Sequence, residues 1–167
     1  PDINNTPEAT IFMQQINEAY RQAVATYNRA ASEYPLGDVT DEALLRMAQI
    51  FETELKDRAA AMQTYQKVVK FFPGTPVAED AAWKVAQFHE QEGKYKEAVD
   101  AYREFIRNYP ASGRVADAQF AMAEALEQLG RWVEAMDAYE TFRQKFTSHP
   151  KVQLALDQIN WIKAYRK

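Results

Sequence analysis

The chain has 167 residues, a hydrophobic fraction of 47% and a formal net charge of −4, which suits one ordinary domain or a short repeat array with a buried core. The acidic balance argues against a general nucleic-acid binder, which presents a basic face, and no run of about 18 apolar residues offers a membrane span. Zero cysteines exclude disulfides, thiolate zinc sites and thiol catalysis, and are compatible with both cytoplasm and periplasm. The sequence starts at Pro1, not Met, and Pro1-Asp2-Ile3-Asn4-Asn5 lacks the charged start and apolar stretch of a signal peptide. It therefore reads as a processed chain or an excised domain.

Only 5 glycines, set among many Ala, Glu, Gln, Lys and Arg, predict helix throughout. Thr6-Pro7-Glu8 reads as a cap, a proline in the first turn and an acid near the helix start. Phe12, Ile16, Ala19, Ala23, Tyr27, Ala30 and Tyr34 then recur at steps of three or four up to Pro35. That spacing predicts one amphipathic helix on the order of 40 Å long. After a break at Leu36-Gly37-Asp38, a second helix starts near Thr40 with Leu44, Met47, Ala48 and Phe51 inward. Lys56-Asp57 is a turn, and Ala61, Tyr65, Val68 and Phe72 line a third helix up to Pro73-Gly74.

Thr75-Pro76 repeats the cap-then-proline start, and Ala82, Val85, Ala86 and His89 form the inner face of the fourth helix. Gly93-Lys94 turns the chain into a fifth helix carrying Tyr95, Ala98, Tyr102, Phe105 and Tyr109. Ser112 is expected to cap a sixth, with Met122, Ala123 and Leu126 inward and Gly130 as its C-terminal glycine. Trp132, Ala135, Tyr139, Phe142 and Phe146 repeat the previous pattern, and Ser148-His149-Pro150 opens a last helix to about Arg166. Its Val152, Ala155, Ile159 and Ile162 form one apolar face; Leu154, Trp161 and Tyr165 form a second.

Tyrosines at 27, 65, 102 and 139 step by 38, 37 and 37 residues. A period in this range marks a solenoid of stacked helix pairs. Each unit has a small residue midway along its first helix (Ala48, Ala86, Ala123) and another opening its second (Ala61, Ala98, Ala135). An aromatic ring follows four residues after the second alanine. Small residues let helices approach, and a ring fills the gap one turn on.

Together with Gly93-Lys94-Tyr95-Lys96-Glu97-Ala98 and Gly130-Arg131-Trp132-Val133-Glu134-Ala135, this pattern resembles the tetratricopeptide repeat. The resemblance implies an all-α, right-handed superhelical solenoid of antiparallel helix pairs, about eight helices in a single domain over 1–167. Its parts are a long N-terminal helix (1–35), repeats at 40–73, 75–110 and 112–147, and a cap helix (148–167). The first repeat lacks the turn glycine, and Thr147 replaces the usual proline after the third. Tyr109-Pro110-Ala111-Ser112 resembles a linker variant common in bacterial envelope proteins such as the outer-membrane assembly lipoprotein and the Tol-Pal-associated periplasmic coordinator. That favours the periplasm or envelope over the cytoplasm.

By family analogy, the other stripe of each first helix lines a concave groove. It reads Glu42, Leu45, Gln49 and Glu52 in the first repeat; Asp80, Trp83, Gln87 and Glu90 in the second; Asp117, Phe120, Glu124 and Glu127 in the third. Steps of three, four and three keep each set on one face. A ladder of Leu45, Trp83 and Phe120 between acidic rails suits a protein or peptide segment with apolar anchors and basic neighbours. Two plainer readings stand beside it: solvated acids, and rings packed on the adjacent second helix. The family's carboxylate-clamp members use Lys, Arg and Asn on this stripe, so that ligand is not expected here.

No catalytic or metal constellation is present: no His-Glu-x-x-His, phosphate-binding glycine loop or Gly-x-Ser-x-Gly occurs. His89 reads as a core or boundary histidine and His149 as a turn residue. The expectation is a non-catalytic interaction scaffold with no cofactor, nucleic acid or metal. Its alternatives are a helper module of a larger enzyme or secretion machine, and a self-assembling unit, including a homodimer through the N- or C-terminal helix.

Overall fold

The structure is a computed structural model that describes residues 6–33 and 39–166. Among these residues it contains eight α-helices: α1 (Pro7–Glu33), α2 (Thr40–Thr53), α3 (Arg58–Phe71), α4 (Pro76–Gln91), α5 (Tyr95–Asn108), α6 (Val115–Gln128), α7 (Trp132–Lys145) and α8 (Val152–Tyr165). No strand occurs among the described residues. The expected helix end at Tyr34-Pro35 and the break at Leu36-Gly37-Asp38 lie outside them. Contacts divide the chain into two compact units, Pro1–Ala81 and Ala82–Lys167.

In the first unit α1 packs on α2, and α2 on α3. Thr6 caps α1, its hydroxyl accepting from the Ala9 N–H at 3.2 Å. Helix α2 buries Leu44, Leu45, Met47 and Ala48, and α3 buries Ala61, Tyr65 and Val68. Asp57, expected as a turn residue, is also the N-cap of α3 and accepts from the Ala60 N–H at 3.0 Å. Lys56 stands where the other repeats have their turn glycine, and takes a left-handed φ of 54°. Gly93 and Gly130 adopt the same region at 70° and 68° without a Cβ to crowd the backbone. In α1 the predicted face is covered only in part: Ile16, Ala23, Tyr27 and Ala30 are half-buried. None of its residues is buried, and Phe12 is 61% exposed.

The second unit holds the rest of α4 and all of α5 to α8. Its core runs continuously from Ala86 through Tyr102, Phe105, Phe120, Tyr139 and Phe142 to Ile159 and Ile162. Two predicted helix starts move. Ser112 does not cap α6; its hydroxyl accepts from the Arg114 N–H at 3.1 Å, closing a turn, and Arg114 is the N-cap. Likewise α8 begins at Val152 after the N-cap Lys151, whose N–H donates to His149 Nδ1 at 3.2 Å. In both places a short side chain satisfies a loop amide first, and the helix starts one turn later.

His89 is half-buried on α4, as its inward spacing implies. Its Nδ1 is buried with no hydrogen-bond partner among the described residues. Burial pushes its pKa down, so the neutral ring is favoured.

Candidate protein-interaction surface

The last acid of each predicted stripe is tied into its own repeat. Tyr65 donates its hydroxyl proton to Glu52 at 2.7 Å, Tyr102 to Glu90 at 2.6 Å and Tyr139 to Glu127 at 2.6 Å. The three rings are buried. Ala61, Ala98 and Ala135, also buried, start the second helices and let them lie close enough for the hydroxyl to reach back. Burial pushes all three hydroxyl pKa values up, and the glutamate beside each adds to the shift. Glu52, Glu90 and Glu127 thus hold a helix pair together as well as carrying charge.

The ladder residues pack in a repeated way. Trp83 meets Tyr102 and Phe105 edge-on, with centroids 5.7 and 5.6 Å apart. Phe120 meets Tyr139 and Phe142 edge-on, both at 5.3 Å. Leu45 and Phe120 are buried, and Trp83 is half-buried. Over each ring lies a cation from the N-cap of the following first helix. The Arg114 guanidinium is 5.9 Å from the Trp83 centroid, and the Lys151 ammonium 4.6 Å from that of Phe120. The sequence reading did not foresee these cations, although Arg114 and Lys151 occupy the same register 37 residues apart.

Solvent still reaches the intervening polar positions. Glu42 is paired with Arg46 at 3.0 Å, and Gln49 accepts from the same arginine at 3.3 Å. Asp80 and Gln87 are half-buried. Asp117 faces Lys151 at 3.8 Å and His149 at 3.7 Å. Glu124 is exposed over much of its surface. Its carboxyl pKa is nevertheless raised, first by partial burial; Glu90 and Glu127 push the same way, against Lys151. In the second unit Glu90, Glu124 and Glu127 form an acidic focus.

The two ends differ from the repeats between them. In α1, Ile11, Phe12 and Met13 are exposed. In α8, Val152, Ala155, Ile159 and Ile162 turn toward α7, whereas Leu154, Trp161 and Tyr165 stay 45%, 40% and 71% exposed. The two-faced pattern predicted for this helix is therefore present. No group of three or more His, Asp or Glu side chains able to hold a metal occurs among the described residues. No helix there is long and apolar enough to cross a membrane.

This geometry, paired helices with alanine contacts and a ring one turn on, defines a tetratricopeptide-type helical-repeat protein. The family model of the soluble NSF attachment protein, SNAP, matches residues 5–113, more than half of the chain, and the tetratricopeptide-repeat model matches residues 89–150. The chain belongs to this family of tetratricopeptide-repeat proteins. No curated protein matches it. Among solved structures it is similar to a double mutant of MamA RS-1, at 14% identity and a TM-score of 0.56, covering 92% of this chain and 93% of that one. A putative kinesin light chain from Podospora anserina with nearly identical TPR-like repeats also has 14% identity and a TM-score of 0.56, covering 98% and 100%. MamA AMB-1 is similar at 13% identity and a TM-score of 0.51, covering 92% and 95%. At these identities the likeness establishes the all-α repeat fold; the tetratricopeptide-repeat family that the chain matches is in general one of protein-interaction scaffolds.

Proposed function

We propose that the chain is a non-catalytic scaffold that binds a partner protein segment along the polar stripe of its first helices, in a bacterial envelope setting. The observation that carries this reading is the acidic focus of Glu90, Glu124 and Glu127: partial burial raises the Glu124 pKa first, and Glu90 and Glu127 add to it against Lys151. Negative charge concentrated in this way is relieved by a partner's Lys or Arg, which favours basic segments and speeds their encounter. The stripe of α2, with Glu42 and Gln49, offers the same chemistry in the first unit. The Tyr109-Pro110-Ala111-Ser112 linker supports the envelope setting.

The test follows from what is bonded and what is not. Glu90 holds Tyr102, and Trp83 packs on it, so changing either confuses folding with binding. Gln87→Lys with Glu124→Lys reverses the stripe without touching those contacts. Wild type and this double variant, immobilised side by side, are to be compared as baits for proteins of the source cells. The expected result is a partner held by wild type and lost by the variant, with unchanged circular dichroism. Retention of the same partner by both removes this surface. A signal for the partner in the cytosolic fraction alone removes the envelope setting.

A second reading, self-assembly through the ends, is favoured by exposed Ile11, Phe12 and Met13 on α1. Sedimentation at two concentrations tests it, and a strict monomer rejects it.

A further inference from the structure

Shifting the register by 37 residues compares α6 with α8. The groove positions Asp117 and Glu124 become Leu154 and Trp161, and Gln128, one turn beyond Glu124, becomes Tyr165. The positions where the next helix packs, Phe120 and Ala123, become Asp157 and Asn160, both exposed. Helix α8 therefore carries polar residues on the side that ends the stack, as a cap does. Its exposed rings lie on the stripe that is polar in the preceding helix, so stacking does not account for them.

Beside them opens a cleft of about 850 Å³, lined by Glu127, Gln128 and Leu129 of α6 and its C-terminus, Trp132 of α7, and Gln158 and Trp161 of α8. Trp132 and Trp161 meet edge-on with centroids 6.2 Å apart at 64°. One guanidinium already lies over both: Arg166 is 4.7 Å from the Trp132 centroid and 5.0 Å from that of Trp161. Guanidinium is weakly hydrated and planar, so it stacks on indole more readily than ammonium does. Glu127, whose carboxylate accepts from Tyr139, also lines the cleft.

We propose that this cleft receives an arginine side chain of the partner segment, and that Arg166 is a resident occupant which the partner displaces. The inference rests on the scaffold reading above and deepens it by naming the side chain and the subsite. The flanking apolar groups Leu154 and Tyr165 take the partner's aliphatic neighbours. A resident occupant lowers the apparent affinity by the fraction of time it fills the site.

The protein has three tryptophans, so its indole N–H signals report Trp83, Trp132 and Trp161 separately. The probe is an acetylated, amidated nonapeptide with one arginine between two leucines in an alanine–glutamine background. Its counterpart carries neutral, near-isosteric citrulline in place of arginine. Titration of the full chain should shift the Trp132 and Trp161 signals and leave Trp83 still. The citrulline peptide should bind about tenfold more weakly. Arg166→Gln should tighten the arginine peptide by about threefold or more, since the competitor is gone. Trp161→Leu should abolish the response, and Trp161→Gln, matched to wild type by thermal unfolding, guards against a folding artefact.

Equal binding of the two peptides, or weaker binding by Arg166→Gln, overturns the proposal. Shifts confined to Trp83 and the Gln87 and Glu124 amides overturn it too, while leaving the acidic stripe as the binding surface. Concentration-dependent dimerisation that Trp161→Leu abolishes also overturns it, by assigning the cleft to a second copy of the chain.

Discussion

Replacing Tyr102 by phenylalanine removes one oxygen and keeps the ring against Trp83, 5.7 Å away. What is lost is an O–H donor 2.6 Å from a Glu90 carboxylate oxygen, a short charge-assisted bond. Bonds of this kind are worth about 1.5–3 kcal/mol. Glu90 is half-buried and keeps some contact with water, so the lower end applies, about 1.5 kcal/mol. The assay is urea unfolding at pH 7, followed by far-UV circular dichroism, of Tyr102→Phe, Glu90→Ala and the double variant. The cycle should show a coupling of about 1 kcal/mol, because the second change has no bond left to break. A coupling within about 0.3 kcal/mol of zero would refute the claim that these glutamates hold the helix pairs.

The same tyrosines should make the fold less stable in alkali. Their folded pKa values lie above the ordinary value of about 10. The unfolded chain therefore releases these protons first, and stability present below pH 10 falls as pH rises beyond it. Tyr102→Phe should flatten that fall, read as urea midpoints against pH. For His89 the shift is downward, so the sign is opposite: stability is present above about pH 6.5 and declines as pH falls toward the lowered folded value. His89→Phe removes the unpartnered Nδ1 and should raise the urea midpoint at pH 7 and flatten the acid decline. Lys56→Gly should stabilise the first turn by about 1 kcal/mol, since its φ of 54° burdens a residue with a Cβ. Gly130→Ala, at φ 68°, should cost a similar amount in the same unfolding assay.

Helix order, turns and most inner faces were legible because they rest on local chemistry; on α4 only Ala86 of the four predicted residues is buried, beside Ala78, Ala81 and Phe88. Thr6-Pro7 and Thr75-Pro76 start helices, Gly93 and Gly130 turn them, and alanines 37 residues apart mark close contacts. The surface was less so. Periodicity names the face on which Glu90 and Glu127 lie, but not the hydroxyl that takes them. A signal was available in hindsight: each glutamate precedes its tyrosine by 12 residues, and Glu52 precedes Tyr65 by 13, the extra residue of the first turn. The Ser112 cap failed because a hydroxyl two residues from an amide competes with one three residues away. The first helix follows its spacing only in part: Ile16, Ala23, Tyr27 and Ala30 are half-buried, whereas Phe12 is exposed. Its spacing is amphipathic, yet α2 covers only part of its length, so Phe12 has no neighbour among the described residues to bury it.

The tyrosine–glutamate bonds have a kinetic consequence. Each joins residues only 12 or 13 positions apart, so it closes a short loop. A chain stitched in this way has low contact order and is expected to fold quickly, from whichever helix pair forms first. By the same reasoning it gives way pair by pair under pulling force. An optical-trap trace of the full chain should then show several small steps and not one large rip.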